Sequence, residues 1–338
     1  MRASSAVLTD SSIRLWDLVF PASRPLLART RAAYVHVDGL IAYSKRDRDG
    51  KVDAYLACYR PDEVALLFFQ KGDVTNAAIL TPSGRFPIAI SEALKHIRAE
   101  PERAEIAFHE ATLEQLAAMY AACAQKPAEL GLDMSTPLSV FGNLLERKWT
   151  GVLELISNAR VNYLLVKEGH FSTGMFADKG PNEAPTNYVA RLFTSVPPEP
   201  LPIVTAKGFQ LLPALPQQAA PALVQVFRTF VWDLTDFAER EAPGDAARRA
   251  DRVRAKLLPA HDVLRAMGGA RGTTVADPIA EPGTVADAVA AWTKEFLTEL
   301  EVVHPQIAPR LLKEAGREQR FALNAVGFFE RLPWHIDW

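Results

Sequence analysis

From Tyr34 onward the chain alternates short apolar runs with polar turns, the pattern of a sheet built from closely connected strands. The run YVHVDGLIAY (34–43) reads as a strand closed by the polar turn SKRDRDGK. DAYLACY (53–59), VALLFFQ (64–70) and VTNAAIL (74–80) read as three more, joined by RPDE and KGD. Connections this short favour an antiparallel meander. After the breaker cluster TPSGRFP, the stretch Ile88 to Arg98 places Ile90, Leu94 and Ile97 on one helical face, AEIAFHE returns to a strand, and TLEQLAAMYAACAQ has good helical spacing. Residues 1–33 carry two Ser pairs and the phrase PASRPLLARTRAA, and are expected to form a partly ordered arm.

The same plan recurs further on. Gly72 in FFQKGDVTNA and Gly169 in LVKEGHFSTG lie 97 positions apart (169 − 72), and that offset also superposes Val64 on Val161, Leu67 on Leu164, Val74 on Phe171 and Ile106 on Ile203. In each case an apolar strand runs into Lys-Gly or Glu-Gly, a second strand leaves, and a turn rich in Gly and Pro precedes a helix (Pro82 and Gly84; Gly180 and Pro181). A helix from about Leu138 to Arg147, with Ser135 or Thr136 as N-cap and Pro137 at its first position, leads into the second copy.

Proline-rich stretches, SVPPEPLPIV and LLPALPQQAAP, mark the exit from the repeats and place a boundary near residue 215. Beyond it, 221–241, 245–268, 284–303 and 307–331 have helical apolar spacing, and Val224, Phe227, Phe230, Val231, Leu234 and Phe237 give the first of these a broad apolar stripe. The fold expected is α+β: an N-terminal arm (1–33), two tandem antiparallel-meander modules with helices (34–130 and 131–215), and an all-α helical bundle (216–338).

Composition narrows the function classes. Of 338 residues 49% are apolar, enough for a substantial core. Lys and Arg (38) nearly balance Asp and Glu (40), so no overall field draws in nucleic acid or an anionic membrane. The N-terminus MRASSAVLTDSSIRLWD has no signal-peptide pattern and no run approaches a membrane span, so a cytoplasmic protein is expected. Cys58 and Cys123 lie far apart, and read as small buried hydrophobes.

Chemical motifs are sparse. GGARGTT (268–274) is Gly-rich but lacks the order of a phosphate-binding loop and follows a helix, so it reads as an exposed loop. RDRDG (46–50) alternates Asp47 and Asp49 before Gly50, yet the later glutamate of a calcium loop is missing, and a charged hairpin tip is the better account. His36, His96, His109, His170, His261, His304 and His335 fall one to an element, not three or four apart as ligands from one helix would. The basic residues of ARRADRVRAK (247–256) read as a solvated helix face. No cofactor, metal site or catalytic cluster is expected. The C-terminus, FFERLPWHIDW, stands apart: after Pro333 stops the helix, Trp334, Ile336 and Trp338 either pack back on the helices or form an aromatic anchor for a partner.

The repeated unit, especially TPLSVFGNLLERKWTGVLELISNARVNYLLVKEGHFSTGMFADKGP, resembles the bacterial PATAN-type module, a domain of uncertain function found in signalling and response-regulator proteins. The resemblance rests on the lead-in helix, Thr150-Gly151-Val152-Leu153-Glu154-Leu155, and the strands entering and leaving Gly169; the first copy keeps Leu66, Leu67, Phe68, Gly72, Val74 and Ala77 but has Asp53-Ala54-Tyr55 in place of Thr-Gly-Val. It implies an adaptor role and brings no catalytic residue. The sequence thus points to a non-catalytic adaptor that binds another protein and has the option of self-association, with a nucleotide or metabolite sensor as the alternative and an enzyme without linear motifs as a weaker third reading.

Overall fold

Two turns with both residues at positive φ, Lys71-Gly72 (50° and 78°) and Glu168-Gly169 (50° and 84°), set the strand pairing of the two sheets. Such turns match the right-handed twist of the strands they join. A Cβ on Gly72 would lie 2.3 Å from the Ser44 carbonyl oxygen, and one on Gly169 would lie 2.4 Å from Leu145 Cα, so space as well as backbone demands glycine. The Lys71 amide donates to Asp53 Oδ1 (2.7 Å) and the Gly72 amide to the Val52 carbonyl (2.8 Å). At the second turn the Glu168 amide donates to Thr150 Oγ1 (2.8 Å) and the Gly169 amide to the Trp149 carbonyl (2.7 Å).

The computed structural model describes residues 13–45, 52–180, 182–194, 204–241, 243 and 246–338, which fall into two compact units, one within 1–88 and 93–216, the other within 89–92 and 217–338. The protein is mixed α/β, with two antiparallel sheets and a helical C-terminal region. In the first unit, β1 (Arg24–Arg31), α1 (Val37–Tyr43), β2 (Ala54–Arg60), β3 (Glu63–Gln70), β4 (Asp73–Thr81), β5 (Gly84–Pro87), α2 (Ile90–Arg98) and β6 (Glu105–Glu110) supply a six-stranded sheet of order β1-β6-β2-β3-β4-β5. After α3 (Leu113–Ala124), α4 (Pro137–Glu146), β7 (Gly151–Ser157), β8 (Arg160–Lys167), β9 (His170–Met175), α5 (Pro185–Leu192) and β10 (Val204–Phe209) supply a four-stranded sheet of order β10-β7-β8-β9. Both sheets carry a register shift just past the glycine turn, at Phe68/Phe69 opposite β4 and at Leu165/Val166 opposite β9.

Tyr55, Ala57, Leu66 and Phe68 of the first sheet share one buried cluster with Val152, Ile156, Val161 and Tyr163 of the second. α3 fills that cluster: Gln115 through Cys123 are all buried, as expected of a helix apolar around its whole circumference. The other face of the second sheet, Leu153, Leu155, Leu164 and Val166, is covered by Val140 and Leu144 of α4 and Tyr188, Val189 and Leu192 of α5. Arg60 donates to the carbonyls of His96 and Ala99, and His96 Nδ1 lies 3.0 Å from Glu63 Oε1, which ties the end of α2 to the β2–β3 turn.

Three segments differ from the expectation. Within the run 34–43, Val37–Tyr43 form a helix, α1, because Val37, Leu40 and Ile41 follow helical spacing and the His36 ring caps it by accepting from the Gly39 amide (3.0 Å). The stretch taken as an arm holds a strand, β1, and buries Leu15, Leu18 and Phe20 in the shared cluster. The breaker cluster contributes β5, whose residues pair with β4 from Thr81↔Gly84 to Ala78↔Pro87. The RDRDG tip and Ile203 lie outside the described residues.

In the second unit, α6 (Pro221–Glu241), α7 (Ala246–Leu257), α8 (Pro282–Glu301), α9 (Ile307–Gly316) and α10 (Arg320–Ala325) surround Phe227, Phe230, Trp292, Phe296 and Phe328. Among the described residues no helix is long and apolar enough to cross a membrane.

One ion pair lies inside the first unit. Arg85 of β5 and Glu154 of β7, 3% and 1% exposed, meet at 2.5 Å and so join the two sheets. Burial works against the Arg85 charge, but the Glu154 carboxylate outweighs it and holds the guanidinium more firmly protonated than usual. Beside them, burial drives the Tyr163 phenol well up and the Cys123 thiol up to about 12, so both stay neutral. Removing one partner strands a buried charge, whereas removing both does not. Arg85→Met or Glu154→Leu alone is therefore expected to cost about 3–5 kcal/mol in chemical denaturation, and the double variant to regain most of that loss.

Candidate functional site

An edge strand leaves backbone N–H and C=O groups unpaired, and folded chains guard such edges with proline, charge, brevity or cover. Three of the four sheet edges here are guarded. β1 carries Pro25 and the ion-paired Arg24 and Arg29 (2.8 Å to Glu110, 2.6 Å to Glu105). β5 is four residues long and ends at Pro87. β10 carries Lys207 and is covered where the Ala128 amide donates to the Gly208 carbonyl (2.8 Å). β9, with the sequence HFSTGM, contains neither proline nor a carboxylate, lysine or arginine, and among the described residues no strand pairs with its outer side.

A cleft of about 630 Å³ runs beside that edge. One wall is Thr173, Gly174 and Met175 of β9 with Leu165 and Phe176; the other is the segment Pro21–Ser23 with Thr112, Glu114 and Gln115 at the start of α3. The second wall is rigidly held. Tyr55 Oη donates to the Pro21 carbonyl (2.9 Å), Gln115 Nε2 to the same oxygen (2.5 Å), and the Ser23 amide to Glu110 (2.9 Å). Val19 exchanges hydrogen bonds with Ala159 and Val161 of the four-stranded sheet (3.0 and 2.9 Å), so residues 19–23 bridge the two sheets. The first wall is braced by Tyr188, whose hydroxyl donates to Asp178 Oδ1 (2.7 Å) and lies 2.9 Å from Asn162 Oδ1. Burial pushes the Tyr188 phenol up, while hydrogen bonds from Tyr188 and Arg160 hold Asp178 below the usual carboxylate range against its own partial burial. At the mouth, Lys179 donates to the carbonyls of Gly180 and Glu183 (3.1 and 2.9 Å). Leu165, Met175 and Phe176 give the cleft its apolar surface, and the hydroxyl and amide groups of Ser23, Thr112, Gln115 and Thr173, with the charged Glu114 and Lys179, give it polar groups that suit a peptide.

The helical unit holds a second cleft of about 480 Å³ between α6, α7 and the loop after Met267. That loop includes GGARGTT and is tied down from α6. Arg228, 8% exposed, donates to the Ala266, Val275 and Ala276 carbonyls and to Asp277 Oδ1 (2.8–3.1 Å), and Trp232 Nε1 donates to the Gly269 carbonyl (3.0 Å). Sequence reasoning passed over Arg228 because its four acceptors lie 38 to 49 residues away.

The aromatic tail is folded onto the helical unit. Trp334 and Ile336 pack against the core, Trp334 Nε1 donates to Glu301 Oε2 (3.2 Å), and Leu332 is buried. Trp338, 40% exposed, meets Phe329 edge to face at 5.0 Å, with the Arg320 guanidinium 5.3 Å from its ring. Among the described residues no three His, Cys, Asp or Glu side chains converge as a metal-binding group. Deleting Leu332 to Trp338 is expected to cost at least about 2 kcal/mol and lower Tm by about 4 °C or more in a thermal melt, because it uncovers the core under Leu332 and Trp334. Compared with protein-family models, curated proteins and solved structures, the chain gives no match in any of the three.

Proposed function

We propose that this protein is a non-catalytic adaptor which binds an extended segment of another protein as an added strand on β9. The observation that carries the reading is the contrast between edges: β1, β5 and β10 carry proline, lysine or arginine, whereas the six residues of β9 carry no proline, carboxylate, lysine or arginine and border a cleft. A segment entering there gains main-chain hydrogen bonds from β9 and seats alternate side chains over Leu165, Met175 and Phe176.

The reading also takes the two sheet modules as copies of one unit. The second runs helix, three strands, helix, strand (α4 to β10), and the first has the same order with one further strand, β5, before its second helix (α1 to β6). The caps of the glycine turns lie at a constant offset, Asp53 to Thr150 and Val52 to Trp149, both 97 residues (150 − 53; 149 − 52), and the register shift recurs at that same offset (165 − 68). In the first copy the far end of the strand leaving the turn, Ala78 to Thr81 of β4, is paired on its outer side by β5; in the second, among the described residues, no strand pairs with the outer side of its counterpart β9. The reading further takes the helices of the second unit, α6 to α9, as a bundle, and a bacterial signalling pathway as the setting that the PATAN-like pattern suggests.

Thr173 is exposed on β9, so Thr173→Lys should change stability by no more than about 0.5 kcal/mol while placing a charge on the open edge. Affinity capture with wild-type and Thr173→Lys protein, followed by hydrogen exchange on the retained complex, is expected to show loss of the partner in the variant and new protection of the β9 amides in the wild type. Equal retention by the two proteins, with β9 exchanging freely in the complex, would remove the strand-addition reading.

A further inference from the structure

The cleft of the helical unit is furnished with both signs of charge over an aromatic floor. Two guanidinium groups, Arg254 and Arg271, and two carboxylates, Asp236 and Asp251, line it, and Trp232 and Trp292 supply its aromatic surface. The charged groups are paired with one another: Arg254 Nη2 lies 2.8 Å from Asp251 Oδ1 one turn away on α7, and Arg271 Nη2 lies 3.5 Å from Asp236 Oδ2 of α6 while also bonding Asp233. All four remain open to solvent, with side-chain exposures of 26% (Arg254), 56% (Arg271), 57% (Asp236) and 69% (Asp251). Exposed pairs of this kind contribute little stability of their own, so exchanging partners costs little.

The surroundings hold these groups in place. Both indole N–H groups are already committed, Trp232 to the Gly269 carbonyl (3.0 Å) and Trp292 to the Ala250 carbonyl (2.9 Å), which fixes the rings and leaves their surfaces to the cleft. The Arg254 guanidinium lies against Gly268, where a Cβ would fall 2.5 Å from Nη1 and 2.8 Å from Cζ, so glycine at 268 is what lets the arginine lie flat beside the cleft. The loop that carries Gly268 and Arg271 is anchored by Arg228. The floor beneath the charges is Val231, Leu264, Met267 and Trp292.

We infer that this cleft binds a small zwitterion with an apolar side chain, in chemical class a free amino acid. Its ammonium group replaces guanidinium as the partner of Asp236 or Asp251, its carboxylate replaces Asp as the partner of Arg254 or Arg271, and the side chain settles on Trp292 and Met267. The exchange keeps every charge paired. A simple anion would neutralise the arginines and leave two carboxylates facing it, and a simple cation would do the reverse. A doubly charged phosphate fits worse still, since the described lining residues sum to zero charge (two Arg, two Asp). The volume of about 480 Å³ is in the range of small-molecule sites, about 300–1,000 Å³.

The inference does not rest on the adaptor reading, and its test involves a different unit of the chain. Full-length protein is titrated calorimetrically with each of the twenty standard L-amino acids, and in parallel with the amine and the carboxylic acid that each apolar one becomes when stripped of its carboxylate or its ammonium. The expected result is saturable binding of one or more amino acids with apolar side chains, at least tenfold weaker binding of both stripped analogues, and roughly tenfold weaker binding to Arg254→Gln and to Asp236→Asn. Asp236 is exposed, so Asp236→Asn should melt like the wild type and its loss of binding reports the site and not the fold; Arg254 is half-buried, so the melting temperature of Arg254→Gln is measured beside its affinity. No binding by any of the twenty, equal binding of an amine or acid analogue, or full affinity in both variants would overturn the assignment.

Discussion

The central strands of both sheets are apolar on both faces, and that requirement for two-sided cover organises the first unit. Every residue of β7 is buried, as is nearly all of β2 and β3. A sheet of this kind cannot leave one face in water, as an ordinary antiparallel sheet does. The second sheet meets the requirement with α4 and α5 outside and the first sheet with α3 inside. The all-round apolar character of α3, and the placing of Leu15, Leu18 and Phe20 in the same cluster, follow from that arrangement. The Arg85–Glu154 pair follows as well: in so apolar a place a lone charge is not tolerated, and a matched pair from one sheet each favours a single relative placement of the two.

Two-sided burial also decides where the molecule can still bind. With the sheet faces covered, the unsatisfied hydrogen-bonding capacity of the strands is confined to their edges, and the chain has dealt with those edges unequally. Proline, arginine and brevity close three of them. The fourth, β9, bulges at Ser172, and Thr173 to Met175 beyond the bulge are its regular part.

Much of this plan could be read from the residues. The meander strands, the glycine turns and the helices at 90–98, 113–124 and 137–146 stand close to where spacing and caps placed them. What escaped was non-local. YVHVDGLIAY has the composition of a strand, and its helical state depends on a histidine cap and on burial of Val37, which periodicity over seven residues does not distinguish from a strand. Residues 15–31 look like a polar arm, because β1 is half-exposed and alternates weakly; it is a strand only because β6 is there to pair with it. Of the candidate sites, the tail was visible as a run of aromatics, whereas neither cleft was. The first needs Pro21, Gln115 and Thr173 from three distant segments, and the second needs Trp232, Arg254 and Arg271.

Arg228 shows why a glycine-rich phrase gives little information on its own. GGARGTT has the composition of a loose loop, and its glycines do adopt positive φ at Gly269 and Gly272. Yet a single guanidinium from α6 gathers three carbonyls and a carboxylate beyond and before that phrase, and a guanidinium is well suited to this, because its five donors project in one fixed plane. Lysine at 228 would keep the charge and lose the fork. The loop is therefore held at both ends while its middle, Arg271 to Thr274, stays exposed. Such a segment keeps its backbone in place and leaves its side chains free to change partners, which is the combination a wall of a binding cleft requires.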